Sequence, residues 1–169
     1  MSSELTTGEA ATWGFIQRLT VLAQGVVEQR IRAAANLSTA EFEVLRCLAD
    51  TDGEARQNAL ATTLGWDKSR LSHQLTRMEH RELIERRKHG RVHAVAMTRV
   101  GAQKLDLAGS AHAAAVRALL VDHLSAAELE SLARTARMEE ERLEAEAARA
   151  AEATRASATK QRPLRPRTT

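Results

Sequence analysis

The chain has 169 residues, of which 43% are hydrophobic and only 2% aromatic, and its formal net charge is +3. Eight glycines, two prolines and abundant alanine favour a mostly helical protein with an aliphatic core, of a size that suits one domain with helical extensions. A single cysteine excludes a disulfide within the chain, and we expect a cytoplasmic protein because the sequence shows neither a signal peptide nor a run of about 18 apolar residues.

The excess of positive charge lies at the C-terminal end. Residues 155–169 carry five Lys or Arg and no acid, and without them the chain has 20 basic and 22 acidic residues. Because Ser, Thr, Pro and Arg prevail there, residues 151–169 are predicted to form a basic disordered tail. Any surface for nucleic acid in the rest of the chain must therefore come from local clustering of cations.

Residues 9–35 are predicted to form a long first helix. Its apolar side chains recur at spacings of three and four and form one stripe, which includes Trp13, Ile16, Leu19, Ala23 and Ile31. Such a stripe needs a partner. That partner is either the rest of the same domain or a second copy of the chain.

A second helix follows Ser38, which forms a predicted capping box with Glu41. Asp50 and the residues up to Gly53 end it. Cys47 lies in this helix, where a free cysteine is typically a small buried apolar residue. The alternative is a redox-sensing thiol, which requires an accessible and cationic setting.

A helix–turn–helix pattern comes next. Gln57–Leu64 form a short helix, Gly65 provides the positive φ that ends it, and Asp67 is the predicted N-cap of the following helix. In that helix Leu71, Leu75 and Met78 recur on the side that faces the core.

The opposite side of this helix is polar and basic and carries no acid, so it can enter a major groove, where Arg and Gln bond to base edges. We call this surface the reader face. It comprises Ser69, Arg70, Ser72, His73, Gln74, Thr76 and Arg77. A solvated helix face is the alternative, although such faces usually mix charges of both signs.

A basic hairpin is predicted after the reader helix. Residues 83–87 and 92–97 are expected to form two strands joined by a turn at Gly90. Cations cluster around that turn without an intervening acid, and a hairpin of this kind can lie along phosphates or enter a narrow minor groove. The predicted wing contacts are Arg86, Arg87, Lys88 and Arg91.

Two more helices complete the chain. The first covers residues 99–122 after the cap Thr98, and His112 in its apolar stripe is interpreted as an interface histidine rather than a ligand. The second starts at a capping box of Ser125 and Glu128 and extends to about residue 150.

The sequence resembles the MarR family of bacterial winged helix-turn-helix regulators. The motifs that carry the resemblance are residues 37–45 (LSTAEFEVL), the helix–turn–helix at residues 60–78 and residues 95–101 (VAMTRVG), and residues 66–72 look like an actinobacterial branch. The resemblance spans about residues 12–148. It implies a mostly α fold with a two-stranded wing, divided into an N-terminal dimerisation helix (9–35), a DNA-binding domain (36–98) and C-terminal dimerisation helices (99–150).

The resemblance also implies a function. A homodimer of this kind addresses a palindromic operator in double-stranded DNA and usually represses transcription, and a small phenolic or other aromatic effector, bound between the dimerisation region and the reader, releases the DNA. The implied dimerisation residues are Trp13, Ile16, Leu19, Leu119, Leu129 and Leu132. One departure concerns the wing tip, where the family pattern Asp-x-Arg is replaced by His89, Gly90 and Arg91.

Other functions find less support in the sequence. We expect neither an enzyme nor a cofactor or metal site, because no phosphate-binding loop, spaced Cys/His set or supported catalytic triad is present. A helical adaptor on the same scaffold, and a redox-responsive regulator that senses through Cys47, remain the alternatives. The sequence leaves the effector, the operator and the sign of regulation open.

Overall fold

The structure, a computed structural model, describes residues 4–89 and 92–160 of the chain. In chain order its elements are α1 (Thr7–Ala35), α2 (Thr39–Ala49), β1 (Glu54–Arg56), α3 (Gln57–Leu64), α4 (Lys68–His80), β2 (Ile84–His89), β3 (Val92–Met97), α5 (Arg99–Leu119), a 3₁₀ turn (Val121–His123) and α6 (Ala126–Lys160). The predicted mostly α, winged helix-turn-helix fold is confirmed. The chain divides after Leu120 into two units, which are described separately.

The predicted helix caps are present. Ser38 Oγ accepts the Glu41 N–H, while the Glu41 carboxylate accepts the Ser38 N–H at 2.8 Å. Asp67 Oδ1 accepts the Arg70 N–H at 2.8 Å at the start of α4. Each bond satisfies an amide that the first helical turn leaves free, which explains why these helices begin where the sequence predicts.

The sheet has one strand more than the sequence predicts. Its order is β1-β3-β2, with both pairs antiparallel, so β3 is central and the hairpin β2–β3 is extended by β1. In the register Glu54 and Glu85 both pair with Ala96, from opposite sides. Because residues two apart in a strand share a face, Arg87 lies on the same face of the sheet as Glu85 and Glu54.

A single aliphatic core holds the first unit together. Side chains from α1, α2, α3, α4, α5 and the sheet are buried in it, and the members with no exposed surface are Ile31, Leu37, Val44, Leu45, Leu48, Leu71, Leu75, Met78, Leu83, Val95 and Ala108. The three predicted core positions of α4 are among them. The reader helix is therefore fixed by its whole apolar side, and burial of each such side chain contributes about 1.5–3 kcal/mol.

The first turn of α5 lies unusually close to Leu83, the residue that precedes β2. A Cβ built on Gly101 would come closer than 3.0 Å to the Leu83 carbonyl oxygen, a separation that real Cβ atoms essentially never show. Thr98 caps the helix by accepting the Gly101 N–H at 3.0 Å. Further along α5, Lys104 Nζ donates to the carbonyl of Ala35, the last residue of α1, at 2.8 Å.

The second unit contains the 3₁₀ turn and α6. The predicted capping box is present, since the Glu128 carboxylate accepts the Ser125 N–H at 2.8 Å and Ser125 Oγ accepts the Glu128 N–H. Arg142 pairs with Glu139 at 2.8 Å and with Glu146 at 2.6 Å along the exposed helix surface.

The last helix is longer than predicted. It continues to Lys160, so residues 151–160 are helical rather than disordered. Alanine is frequent in this segment and favours helix, whereas the prediction gave more weight to its Ser and Thr. The rest of the predicted tail, residues 161–169, lies outside the described residues.

Candidate nucleic-acid interface

The turn between α3 and α4 sets the direction of the reader helix. Gly65 has φ 63°, in the left-handed region, and the Trp66 N–H donates to the Ala61 carbonyl at 3.0 Å, which closes the end of α3. Glycine reaches this conformation without steric cost. Asp67 then caps α4, so the chain changes direction within three residues.

The reader face is largely exposed. Its members Ser69, Arg70, His73, Thr76 and Arg77 are solvent-exposed, and Ser72 is half-buried. Lys68, in the first turn of α4, is exposed as well. The predicted accessible, cationic helix surface therefore exists, although no DNA is present and its role as the contact surface stays a proposal.

Gln74 departs from the prediction. Only 4% of its surface is exposed, and its side-chain oxygen accepts a hydrogen bond from the Arg77 guanidinium. The residue lies at the edge between the core side and the reader face, and neighbouring elements cover it there. Gln74 thus supports Arg77 in this structure, and its contact with a base edge stays a prediction.

Arg70 is held by an aromatic ring, a contact that the sequence reading missed. Its guanidinium carbon lies 4.2 Å from the centroid of the Trp66 ring. A cation over an aromatic face at this distance contributes about 0.5–1 kcal/mol at an exposed site. Trp66 precedes the N-cap, four residues before Arg70. The spacing could have indicated the pair, since i and i+4 side chains meet near a helix start.

Arg86 is joined to the reader helix. One of its terminal nitrogens donates to the Ser72 carbonyl and to Thr76 Oγ1, both at 2.9 Å, and its Nε lies 3.7 Å from the Glu79 carboxylate. These bonds connect β2 to the middle of α4. Nη2 of Arg86 is thus engaged inside the protein, and the phosphate contact of Arg86 stays a prediction.

Arg87 is likewise engaged within the protein. It pairs with Glu54 at 2.8 Å and also with Glu85, which share its face of the sheet. Glu85 first, and Glu54 to a lesser degree, raise the pKa of the Arg87 guanidinium. Two carboxylates thus pair with a cation that the sequence assigned to DNA, and the DNA contact of Arg87 stays a prediction. Glu54 belongs to β1, the strand that the sequence did not predict.

The remaining wing contacts cannot be compared with the structure. Arg91 and Gly90 lie outside the described residues, and so does the side chain of Lys88. Their proposed contacts with DNA remain predictions.

A buried ion pair fixes the far end of the reader helix. The Glu41 side chain is 5% exposed, and both of its oxygens accept from Arg81 Nη1 at 2.6 Å. Arg81 follows the last residue of α4, and its other terminal nitrogen donates to the Asn36 carbonyl at the end of α1. The ends of α1 and α4 and the start of α2 are therefore linked by one hydrogen-bonded group.

Four of the six residues assigned to dimerisation expose their apolar side chains, and the other two are half-buried. Trp13 is 55% exposed, Ile16 47% and Leu19 42%. Leu119 is half-buried at the end of α5. In the second unit, Leu129 is half-buried and Leu132 is exposed. Large exposed apolar patches mark interaction sites in soluble proteins.

An apolar groove of about 650 Å³ lies between the second half of α1 and the second half of α5. Its lining consists of small and aliphatic side chains and one cation: Val26, Arg30, Ala33, Ala34, Ala111, Ala114, Ala115, Ala118 and Leu119. His112, interpreted from the sequence as an interface residue, contacts Phe42 with tilted rings whose centroids lie 5.3 Å apart, and its interface role stays a prediction.

Two features are absent from the part of the chain that the structure describes. In ranges 4–89 and 92–160, His, Cys, Asp and Glu side chains form no group of three or more that could hold a metal ion. None of the helices in the same ranges has the length and apolar character needed to cross a membrane.

Comparison with known proteins identifies the architecture. A sequence profile described as a domain of unknown function (DUF7343) matches residues 37–98, and no curated protein matches the chain. Among solved structures, AbsC, a MarR family transcriptional regulator from Streptomyces coelicolor, is similar with a TM-score of 0.78 and 28% identity, over 85% of this chain and 99% of that one. The fold is that of the MarR family.

Two other similar structures contain a bound partner. Sco3205 from Streptomyces coelicolor, a MarR family regulator in complex with DNA, has a TM-score of 0.74 and 23% identity, over 82% of this chain and 89% of that one. The organohalide-sensing regulator RdhR-CbdbA1625 in its 2,4-dichlorophenol-bound form has a TM-score of 0.68 and 18% identity, over 82% of each chain. All three similar proteins are transcriptional regulators.

Proposed function

We propose that this protein is a homodimeric, sequence-specific DNA-binding regulator of transcription that acts in the cytoplasm as a repressor and is released by a small effector. The observation that carries the proposal is the exposed, acid-free reader face, Gln74 excepted, on a helix that is fixed by its core side and at its far end. A rigid helix with exposed Arg, His, Ser and Thr suits contacts to base edges. The DNA complex of the related Sco3205 supports the same use of the fold.

The apolar surface of α1 supports the homodimer. Trp13, Ile16 and Leu19 leave about half of their surfaces exposed, which disfavours a monomer in water. A second copy can cover them symmetrically, and two reader faces then address the half-sites of a palindrome. Sedimentation should give a dimer, and Leu19→Glu should shift it to monomer. A parent chain that sediments as a monomer at micromolar concentration would refute this part.

The apolar groove is our candidate effector site. Its lining is apolar apart from Arg30, which suits an aromatic ring with an acidic substituent. The dichlorophenol complex of the related RdhR-CbdbA1625 supports this ligand class. Benzoate or 2,4-dichlorophenol at millimolar concentration should weaken DNA binding, and Ala114→Phe should abolish the response by filling the groove. Sedimentation of that variant serves as the control for dimer integrity.

The central test is a selection of bound duplexes from random DNA, followed by affinity measurements on the selected sequence. Arg77→Ala should cost about 1–3 kcal/mol and relax the preference at one base pair of each half-site. Arg137→Ala, which removes an equal charge from exposed α6, is the matched control and should leave base preference unchanged. A parent protein that enriches no sequence and shows no salt-dependent affinity would instead favour the helical adaptor.

A further inference from the structure

A second polar surface adjoins the reader face and was not assigned by the sequence. It is a groove of about 750 Å³, here called the basic groove, between the start of α3, the middle of α4 and the sheet. Its polar lining includes Arg56, Gln57, Asn58, Ser72, Arg86 and His93, and no lining residue is acidic. A cavity with two arginines, a histidine and no carboxylate suits an anion.

The cations of the basic groove differ in how they are held. Arg86 is held against α4 by its hydrogen bonds to the Ser72 carbonyl and to Thr76 Oγ1. Arg56 and His93 are exposed, and within the described part of the chain neither side chain has a hydrogen bond or an ion pair. Arg56 is therefore available to an incoming anion, whereas the charge of Arg86 is partly offset by Glu79, 3.7 Å from its Nε.

The first turn of α3 strengthens the positive potential of the groove. Arg56 is the N-cap residue of α3 and provides no side-chain acceptor for the first amides of the helix. Gln57 and Asn58, which carry two of these amides, line the groove. Free amides at a helix start favour an anion, and they add here to the charges of the arginines.

The position of the groove identifies the anion. Ser72 and Arg86 line it, and Arg86 also contacts Thr76, which lies on the reader face. A duplex whose major groove receives α4 must therefore carry one of its strands past the mouth of the basic groove. The nearest anions on that strand are its phosphodiesters.

We propose that the basic groove receives one phosphate of the DNA backbone and that Arg56 is its main ligand. The inference rests on the proposed DNA-binding function and extends it to a contact that fixes register without reading sequence. Its occupant is a duplex phosphodiester, not a free phosphate ion.

The test is the salt dependence of affinity for the selected duplex. Affinity is measured by fluorescence anisotropy at KCl concentrations between about 50 and about 300 mM, a range over which such slopes are determined. Loss of one phosphate contact lowers the slope of log K against log[salt] by about 0.9, which corresponds to about eightfold weaker binding at 0.1 M salt. Arg56→Gln should show both changes and keep the base preference of the parent. Arg56→Lys, which retains the charge, should recover most of the slope.

Controls separate the possible outcomes. Arg137→Gln removes the same charge from α6 and should leave the slope unchanged. An unchanged slope in Arg56→Gln, or an equal change in Arg137→Gln, would overturn the proposal while the DNA-binding function stands. A parent chain without any affinity for DNA would refute both the phosphate contact and the proposed DNA-binding function. If millimolar inorganic phosphate shifts the NMR signal of the His93 ring while Arg56→Gln keeps the full slope, the groove holds free phosphate and the proposal is wrong.

Discussion

Replacing Gly101 by alanine tests the closest approach of two backbone segments in the fold. The new Cβ would lie closer than 3.0 Å to the Leu83 carbonyl oxygen and 3.1 Å from both the Leu83 carbonyl carbon and Met97 Cγ. Two of these three atoms are backbone, so they cannot move aside as the end of a flexible side chain can. The Leu83 carbonyl also accepts the Thr98 N–H at 3.2 Å, and its retreat would strain that bond.

The magnitude follows from these contacts. Overpacking of this kind costs about 1–3 kcal/mol, and weakening the Thr98 bond adds up to about 1 kcal/mol. The higher helix propensity of alanine offsets up to about 1 kcal/mol of this loss in the free energy of unfolding. We therefore expect Gly101→Ala to lower the free energy of unfolding by about 1–3 kcal/mol, or Tm by about 2–12 °C for a chain of this length.

Gly109 on the same helix is the matched control. A Cβ there would meet no atom within 4 Å, so only the helix propensity changes, and Gly109→Ala should raise Tm by about 2–4 °C. Both variants are to be compared by thermal denaturation at one protomer concentration, because assembly makes Tm concentration-dependent. The reasoning fails if Gly101→Ala is as stable as the parent while Gly109→Ala behaves as expected.

Three further variants probe the rest of the first unit. Arg81→Ala leaves the buried Glu41 carboxylate without its cationic partner, although the Ser38 N–H still donates to it. Since Arg81 is itself 36% exposed, the free energy of unfolding measured in urea should fall by about 1–3 kcal/mol. If the effects of Arg81→Ala and Glu41→Gln add in the double variant, the two side chains do not interact directly. Glu82 has φ 57°, in the left-handed region that glycine adopts without steric cost, so Glu82→Gly should raise the free energy of unfolding by about 1 kcal/mol. An unchanged urea midpoint would show that the backbone of Glu82 is not strained. Burial raises the pKa of the Cys47 thiol, so its thiolate forms at higher pH in the folded chain than in the unfolded one. Iodoacetamide at pH 8 should therefore react more slowly with the folded chain than with the urea-unfolded chain. Equal rates would support the alternative of a redox-sensing Cys47.

The features that the sequence predicted well are local ones. The limits of α3, the caps Ser38 and Asp67, and the turn at Gly65 agree with the structure, because each depends on a few neighbouring residues and on bonds within one helical turn. The three core positions of α4 follow in the same way from helical spacing.

The partners of the wing arginines could not be predicted in this way. Arg87 meets Glu54, which lies 33 positions earlier, and Arg86 meets Ser72, 14 positions earlier. These pairs depend on the strand order of a sheet whose first strand has three residues and no alternation. The burial of Gln74 was hard to predict for a similar reason. Its angle on α4 places it between the core side and the reader face, and only the packing of neighbouring elements decides whether it is buried.

The distribution of bound and free cations changes what a salt titration should measure. A count of charges alone credits the wing with four phosphate contacts, yet Arg86 and Arg87 are paired with carboxylates or bonded to α4. The wing then contributes at most the charges of Lys88 and Arg91, while Arg56 in the basic groove adds one that the count overlooks. Because each contact contributes about 0.9 to the slope, Arg87→Gln should leave the slope unaltered and loosen the sheet, whereas Arg91→Gln should reduce it. A reduction of similar size in both variants would show that Arg87 exchanges its carboxylates for a phosphate when DNA binds.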